Sequence, residues 1–509
     1  MAGKVILEMR GIVKRFPGVV ANDHIDFDLR EGEIHALLGE NGAGKTTLMN
    51  ILYGIHQPDE GEILIDGRPV KLRSPRDAIA LGIGMVHQHF KLVEKHTVAE
   101  NVALGYARRV FKPLEDVKGK ILEYGERYGL RVDPDAYVWQ LSAGEKQRVE
   151  IIKALFAGAR ILILDEPTSV LTPQESEELF HIVKKMREDG KSIIFITHKL
   201  REVMEVGDRA TVLRKGKKVA TLEVSKTNPR ELARLMVGRE VLFEIERPEK
   251  EIGEVVLRVE DLWVLNDKGL PAVRGVSFEI RKGEIFGIAG VAGNGQRELV
   301  EALTGLRRVE KGRIILMGRD VTNADPGTLF ALGVSHIPEE RIKMGIVPNL
   351  TVMENMILKM EWRQPFRKGL FLDFDTIQSY SEERVREFDI YTPSVRVPAR
   401  TLSGGNIQKL ILAREISVSP KVIIAAHPTY GLDVAATEYI RNRLAKEAAG
   451  GAAIFLISEE LDEIFQLSDR FAVMFNGEFM GVVRPGELTR EEVGLMMMGK
   501  RLEEVRGGA

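Results

Sequence analysis

The chain has no cysteine among its 509 residues, which excludes a disulfide framework, thiolate metal sites and a thiol nucleophile. It has no apolar run of the ~18–20 residues that a membrane span requires. Any role at a membrane is therefore expected to run through partners, with no direct membrane insertion. The opening Met1-Ala-Gly-Lys-Val-Ile-Leu-Glu8 lacks the apolar centre of a secretory signal. Neither charge is in excess: 73 Lys and Arg against 75 Asp and Glu leave a net −2, so nothing global favours nucleic acid. What is present is ordinary for a soluble globular protein, with 44% hydrophobic and 29% charged residues. The length suffices for two or three domains with sizeable cores.

The chain says the same thing twice. Val5-Ile-Leu-Glu-Met9 is echoed by Val255-Val-Leu-Arg-Val259, Glu33-Ile-His-Ala-Leu-Leu-Gly39 by Glu284-Ile-Phe-Gly-Ile-Ala-Gly290, and Met236-Val-Gly-Arg239 by Met498-Gly-Lys-Arg501. Two domains, 1–243 and 255–509, are expected, joined by a charged linker at 244–254 that follows the turn signals around Pro248. Within each copy, short apolar runs such as Ile161–Leu164 and Ile193–Ile196 read as buried parallel strands. Between them, Pro173–Glu188 carries Leu179, Ile182, Val183 and Met186 on one helical face. The fold class is α/β: two tandem domains, each with a mainly parallel sheet and helices on both faces. The stretch from His89 to Gln140 reads as an inserted helical subdomain.

Gly39, Glu40, Asn41, Gly42, Ala43, Gly44, Lys45 and Thr46 fit G-x-x-x-x-G-K-[ST] at every fixed position, followed by Thr47 and the apolar-periodic Leu48, Met49, Ile51 and Leu52. An apolar run precedes the motif and a helix follows it, the context in which such a loop wraps phosphates with its backbone N–H groups and helix N-terminus. Lys45 would reach the β- and γ-phosphates of ATP, and Thr46 would offer its hydroxyl to Mg²⁺. Further on, Ile161-Leu-Ile-Leu ends in Asp165-Glu166. Asp165 can hold Mg²⁺ through water and Glu166 can polarise an attacking water.

Leu141-Ser-Ala-Gly-Glu-Lys-Gln-Arg148 and Leu402-Ser403-Gly404-Gly405-Asn-Ile-Gln-Lys409 resemble the LSGGQ signature of ABC ATPases, and the resemblance covers nearly the whole chain. It implies two P-loop NTPase domains of the ABC type using ATP with Mg²⁺. It implies that Gln88 is the glutamine that senses the metal and lies beside the reacting phosphate. His198 matches the switch histidine, and Phe16 the aromatic that stacks on adenine. The catalytic group so implied is Glu166, His198, Gln88 and Lys45, with Thr46, Gln88 and Asp165 toward the metal. In this family one domain's phosphate loop faces the other's signature, which assigns Ser403, Gly404 and Gly405 to the same ATP.

The second half departs from the pattern. Gln296 and Arg297 replace the lysine and hydroxyl, Glu339 stands for Gln88, Ala426-His427 for the acidic pair, and Glu459 for His198. Conversely, the second half keeps the clean Ser-Gly-Gly turn and Asp433, where the first has Ala143 and Thr172. Sorted head to tail, one composite site is intact and the other collects every change. One hydrolytic site per chain is expected, with the two halves pairing within the chain.

The tandem arrangement resembles the ATPase subunits of sugar-type importers, and Met85-Val-His-Gln-His-Phe90 together with the Ala-Ala-His-Pro-Thr-Tyr stretch resembles the nucleoside-importer branch. That implies a peripheral subunit at the cytoplasmic face of the cell membrane. Its implied partners are two transmembrane permease subunits and, through them, a solute-binding protein. Phe90 and Met344, next to Gln88 and Glu339, are expected to line the permease grooves.

Overall fold

The computed structural model describes residues 3–17, 19–88, 90–104, 114–171, 173–240, 248–291 and 293–507. The chain divides into two compact units, Met1–Val241 and Leu242–Ala509. In the first, the strands are β1 (Val5–Phe16), β2 (Val19–Arg30), β3 (Ile34–Leu38), β4 (Glu60–Ile65), β5 (Arg68–Val70), β6 (Ile83–Val86), β7 (Ile161–Asp165), β8 (Ser192–Thr197), β9 (Arg209–Arg214) and β10 (Lys217–Glu223). Six of them form one sheet in the order β10-β9-β3-β8-β7-β6, parallel except for β10 against β9. The remaining four make a separate antiparallel sheet, β2-β1-β4-β5.

Each central strand is apolar along its whole length because it feeds two cores. Ile161 and Ile163 of β7 pack in the core that also holds Met9, Phe27 and Leu48. Leu162 and Leu164, one residue out of phase, pack with Leu179, Ile182, Val183 and Met186 on the opposite face. Those last four line the buried side of helix Pro173–Glu188, as their spacing requires. The His89–Gln140 region holds helices Val98–Leu104 and Leu114–Tyr128.

The antiparallel sheet was not anticipated as a separate layer. Its long strands are half apolar, and the sequence pattern gives no register for pairing Leu7 with both Leu29 and Ile65.

The second unit repeats the plan with β11 (Val255–Leu265), β12 (Pro271–Arg281), β13 (Ile285–Ala289), β14 (Val309–Leu316), β15 (Arg319–Asp320), β16 (Val334–Ile337), β17 (Arg367–Lys368), β18 (Phe371–Leu372), β19 (Val422–Ala426), β20 (Ala453–Ser458), β21 (Arg470–Phe475) and β22 (Glu478–Val483). The sheets run β12-β11-β14-β15 and β16-β19-β20-β13-β21-β22. The short hairpin β17–β18 stands apart from both. Residues 250–253, toward the end of the expected linker, are tied to this unit: Lys250 pairs with Asp469 at 2.6 Å, and Gly253 N–H donates to Lys282 O at 3.0 Å. No described helix is long and apolar enough to cross a membrane.

Candidate functional site

In an open parallel sheet, ligands meet the carboxyl ends of the strands. Here β3, β8, β7 and β6 are consecutive neighbours. Their carboxyl ends carry the phosphate loop, His198, Asp165-Glu166 and Gln88 respectively. Four sequence-distant segments thus reach one edge at the ~4.8 Å spacing of adjacent strands.

The loop 39–44 is shaped by its glycines. Gly44 adopts φ +98°, and a Cβ there would run into Ala21 O; one on Gly39 would lie 2.5 Å from Leu213 O. Lys45 opens helix Lys45–Leu52 and folds back into the loop, its buried ammonium donating to Gly39 O at 2.6 Å and Glu40 O at 3.1 Å. Lysine carries donors only, so it satisfies carbonyls and leaves loop N–H groups for an anion. A residue the sequence reading missed steadies this loop: buried Asn22 of β2 donates from Nδ2 to Gly44 O at 3.1 Å. Its only signal is an asparagine in a strand at a position that the core would fill.

Glu166 sits just past β7 at φ +46°, its N–H bonded to Ile196 O at 3.0 Å. One carboxylate oxygen accepts from Gln88 Nε2 at 3.1 Å, and the other lies 3.0 Å from His198 Nδ1. The Gln88, Glu166 and His198 predicted for the site therefore form one cluster. Burial pushes the Glu166 carboxyl up, but the bond and charge of His198, with Lys45 and Lys199, carry it below the usual range. Asp165 goes the other way, raised to about 6 by burial and by the charge of Glu166, with Lys45 and the Thr46 hydroxyl opposing. Neighbouring carboxylates whose environments drive them apart are the signature of divided roles. Behind them, Glu202 accepts from the hydroxyls of both Thr168 and Thr197, the latter at 2.6 Å, and so braces the turn.

Phe16 ends β1, 36% exposed, with its ring edge-on to His56 at 5.4 Å and the Lys14 ammonium over it at 5.7 Å. Thr46 is exposed and Thr47 half-buried. His89 and Thr172 lie outside the described residues. Among the described residues, no group of three or more His, Asp or Glu is placed to hold a metal alone. Asp165 makes no ion pair among the described residues, and a buried carboxylate beside the Thr46 hydroxyl suits Mg²⁺, which takes few protein ligands and completes its shell with phosphate and water.

The second unit reproduces this scaffold with different groups. His427 takes φ +46°, its N–H donating to Ile457 O at 2.8 Å, and Thr429 reaches Glu463 at 2.8 Å as Thr168 reaches Glu202. The buried Gln296 donates from Nε2 to Val291 O at 2.9 Å and accepts from Asn294 N–H at 3.0 Å. Unlike lysine, the carboxamide consumes a loop amide as well as a carbonyl. Arg297 lies along its own helix, paired with Glu301 at 2.8 Å.

The signature turns both open helices, Ala143–Phe156 and Gly404–Ile416. Ser142 caps through Glu145 N–H at 3.2 Å, in a reciprocal box with the Glu145 carboxylate. Ser403 accepts from Asn406 Nδ2 at 2.9 Å. A side chain the sequence did not reveal lies beside it: Arg341 donates to Tyr430 O, and its Nη1 is 3.1 Å from where a Cβ on Gly404 would sit. Asp433 caps helix Val434–Ala449 through Ala436 N–H at 2.8 Å.

The family model described as ABC transporter matches twice, at residues 22–169 and 273–430. The nucleoside import ATP-binding protein NupA of Lactococcus lactis is 48% identical over 506 residues, 99% of this chain and 100% of its own length. The guanosine import ATP-binding protein NupO of Bacillus subtilis is 47% identical over 98% of both chains. The glucose import ATP-binding protein TsgD13 of Haloferax volcanii is 46% identical over 98% of this chain and 96% of its own. Among solved structures, RNase-L Inhibitor superposes with a TM-score of 0.64 over 96% of this chain and 93% of its own at 20% identity, which is a likeness of fold. The chain belongs to the ABC transporter family, as a subunit with two ABC domains on one polypeptide.

Proposed function

We propose that the chain is the ATP-hydrolysing subunit of a membrane importer for nucleosides, with a single hydrolytic site. The cluster in which Gln88 and His198 each hold one oxygen of Glu166 carries the ATPase reading. It supports Glu166 as the base that takes a proton from the attacking water, with His198 orienting the carboxylate and the water. Lys45 would move from the loop carbonyls to the β- and γ-phosphates, and Phe16 would stack on adenine. Gly39, Glu40, Asn41, Gly42, Ala43, Gly44 and Thr47 would complete the phosphate cradle. Thr46, Asp165 and Gln88 would hold Mg²⁺, which when bound neutralises charge on the phosphates.

On this reading Ser403, Gly404 and Gly405 close on the same ATP in head-to-tail pairing of residues 1–243 with 255–509 about the linker 244–254. The second phosphate loop, without lysine, hydroxyl or base, is a silent partner. Two permease subunits at the cytoplasmic face of the membrane would receive the half-buried Phe90 and the exposed Met344. Leu92 packs on its own subdomain core, whereas Val93 is exposed and suits a contact. A solute-binding protein would act through those permeases.

Nucleosides as solute rest on the relatives named for nucleoside and guanosine import; the glucose importer relative supports a sugar as the second reading. A tandem ABC ATPase acting on ribosomes, the alternative that two such domains without a membrane span leave open, has only fold likeness behind it. Uptake of labelled nucleosides and of glucose in cells lacking the gene tests the choice. Loss of nucleoside uptake alone, restored by the wild-type chain and not by Glu166→Gln, is expected. Loss of glucose uptake alone would assign the sugar.

A further inference from the structure

Between helices Val352–Met356 and Phe374–Glu387, the second unit projects the hairpin β17–β18, turning through Gly369 at φ +65° and Leu370. Leu370 is 96% exposed and Phe371 79%, and Trp362, Leu372 and Phe374 are exposed beside them. No other stretch of similar length among the described residues exposes so many large apolar side chains. Single exposed apolar residues need no explanation; a contiguous group of them marks a contact surface.

The tip is presented, not merely loose. Phe366 is buried at its base, edge-on to Tyr380 at 4.9 Å. Lys368 pairs with Asp373 at 2.8 Å across the hairpin, and Asp373 in turn accepts from the Thr376 hydroxyl at 2.8 Å. Arg363 stacks 4.8 Å from the centre of Trp362 and 5.2 Å from that of Phe330. Neither Arg363 nor Arg367 has a carboxylate partner among the described residues. The result is an apolar tip with a tryptophan and two uncompensated guanidiniums set behind it.

We propose that this hairpin rests on the cytoplasmic surface of the membrane and binds anionic phospholipid. Leu370, Phe371 and Leu372 enter the headgroup layer, while Arg363 and Arg367 meet phosphates and Trp362 lies at the polar boundary. A closed protein groove would cover the tip but would give no reason for guanidiniums without carboxylate partners behind it. A bilayer offers apolar depth beneath a layer of negative charge, which is the order of chemistry on the hairpin. One such element gives weak, reversible adsorption and does not span. The chain would then touch lipid directly as well as through partners, orienting it at the membrane. The inference is independent of the transported solute.

The test uses the full chain and vesicles of phosphatidylcholine with or without phosphatidylglycerol, read by co-sedimentation. Binding to the anionic vesicles is expected, weakened severalfold by added salt and roughly tenfold by Leu370→Ser with Phe371→Ser. ATPase activity of that variant, unchanged because neither residue belongs to the nucleotide machinery, certifies that it folds. The proposal is overturned if the wild type ignores anionic vesicles, if the double variant binds as well as wild type, or if neutral vesicles bind equally. Cross-linking of Leu370→Cys to a permease in membranes, without vesicle binding, would assign the hairpin to a protein partner instead.

Discussion

Glu166 and His427 occupy the same point of one repeated turn: φ is +46° at both, and their N–H groups donate to Ile196 O and Ile457 O at 3.0 and 2.8 Å. A non-glycine residue held there stores about 1–3 kcal/mol of backbone strain. The second unit keeps the strained turn and its Thr429–Glu463 brace while presenting an imidazole where the first presents a carboxylate. Scaffold and chemistry have therefore separated, and the consequences can be measured.

The two signature serines should differ. The proposed head-to-tail pairing would set Ser403 at the intact site, so Ser403→Arg should lower turnover by about a hundredfold or more, the scale of a lost transition-state contact. Ser142→Arg should cost far less. Steady-state ATPase rates decide it, and equal losses would contradict head-to-tail pairing within the chain.

Gln296 fills its own loop, consuming the Asn294 amide and the Val291 carbonyl. The full chain carrying Glu166→Gln should therefore retain one nucleotide per polypeptide at saturation, measured by equilibrium dialysis with Mg²⁺. Two would show that the second loop opens to phosphate despite the carboxamide.

Phe16 offers an aromatic face and no polar group. Phe16→Ala should raise KM for ATP about tenfold with little change in kcat, since base stacking contributes ~1–3 kcal/mol per base. Phe16→Trp should restore it. A fall in kcat at unchanged KM would place the ring elsewhere in the reaction.

Two buried histidines set an acid limit. Burial lowers His35, beside Thr211 Oγ1 at 2.8 Å, to about 3, and lowers His336 to about 4, from an ordinary 6.5. The 3.4 Å approach of His35 to Glu33 is thus to a neutral ring and is no ion pair. Because the folded state binds fewer protons, the stability each neutral ring permits is full above about pH 6.5 and is lost as pH falls toward the folded values. Each histidine should steepen the decline of its own unit by up to about 1.4 kcal/mol per pH unit in that window. Unfolding midpoints between pH 7 and 5, with His35→Asn flattening only the first unit's profile, would show it; an unchanged profile would not fit.

Much of this site was legible because its parts are local. The phosphate loop is contiguous, and the strand that ends in Asp165-Glu166 announces itself by an apolar run. The bond from Gln88 to Glu166 crosses 78 residues, and only the order of parallel strands brings the two together. The Asn22 brace has only the faint signal of a polar residue at a core position and the Arg341 contact has none, since each depends on how separate segments meet. The antiparallel sheet was missed for the related reason that pairing register is a tertiary property. The hairpin tip at Leu370 was equally silent, because hydrophobicity along a chain does not tell core from exposed surface.

The central claim is that one of two look-alike sites hydrolyses ATP. The direct measurement is the ATPase rate of the full chain carrying Glu166→Gln, His427→Ala or Arg297→Ala. Glu166→Gln should bind ATP with near wild-type affinity yet lose about 10²–10⁴ in turnover, the contribution of a general base. His427→Ala and Arg297→Ala should stay within a few-fold of wild type. Loss of turnover in either of those as complete as in Glu166→Gln would contradict the account.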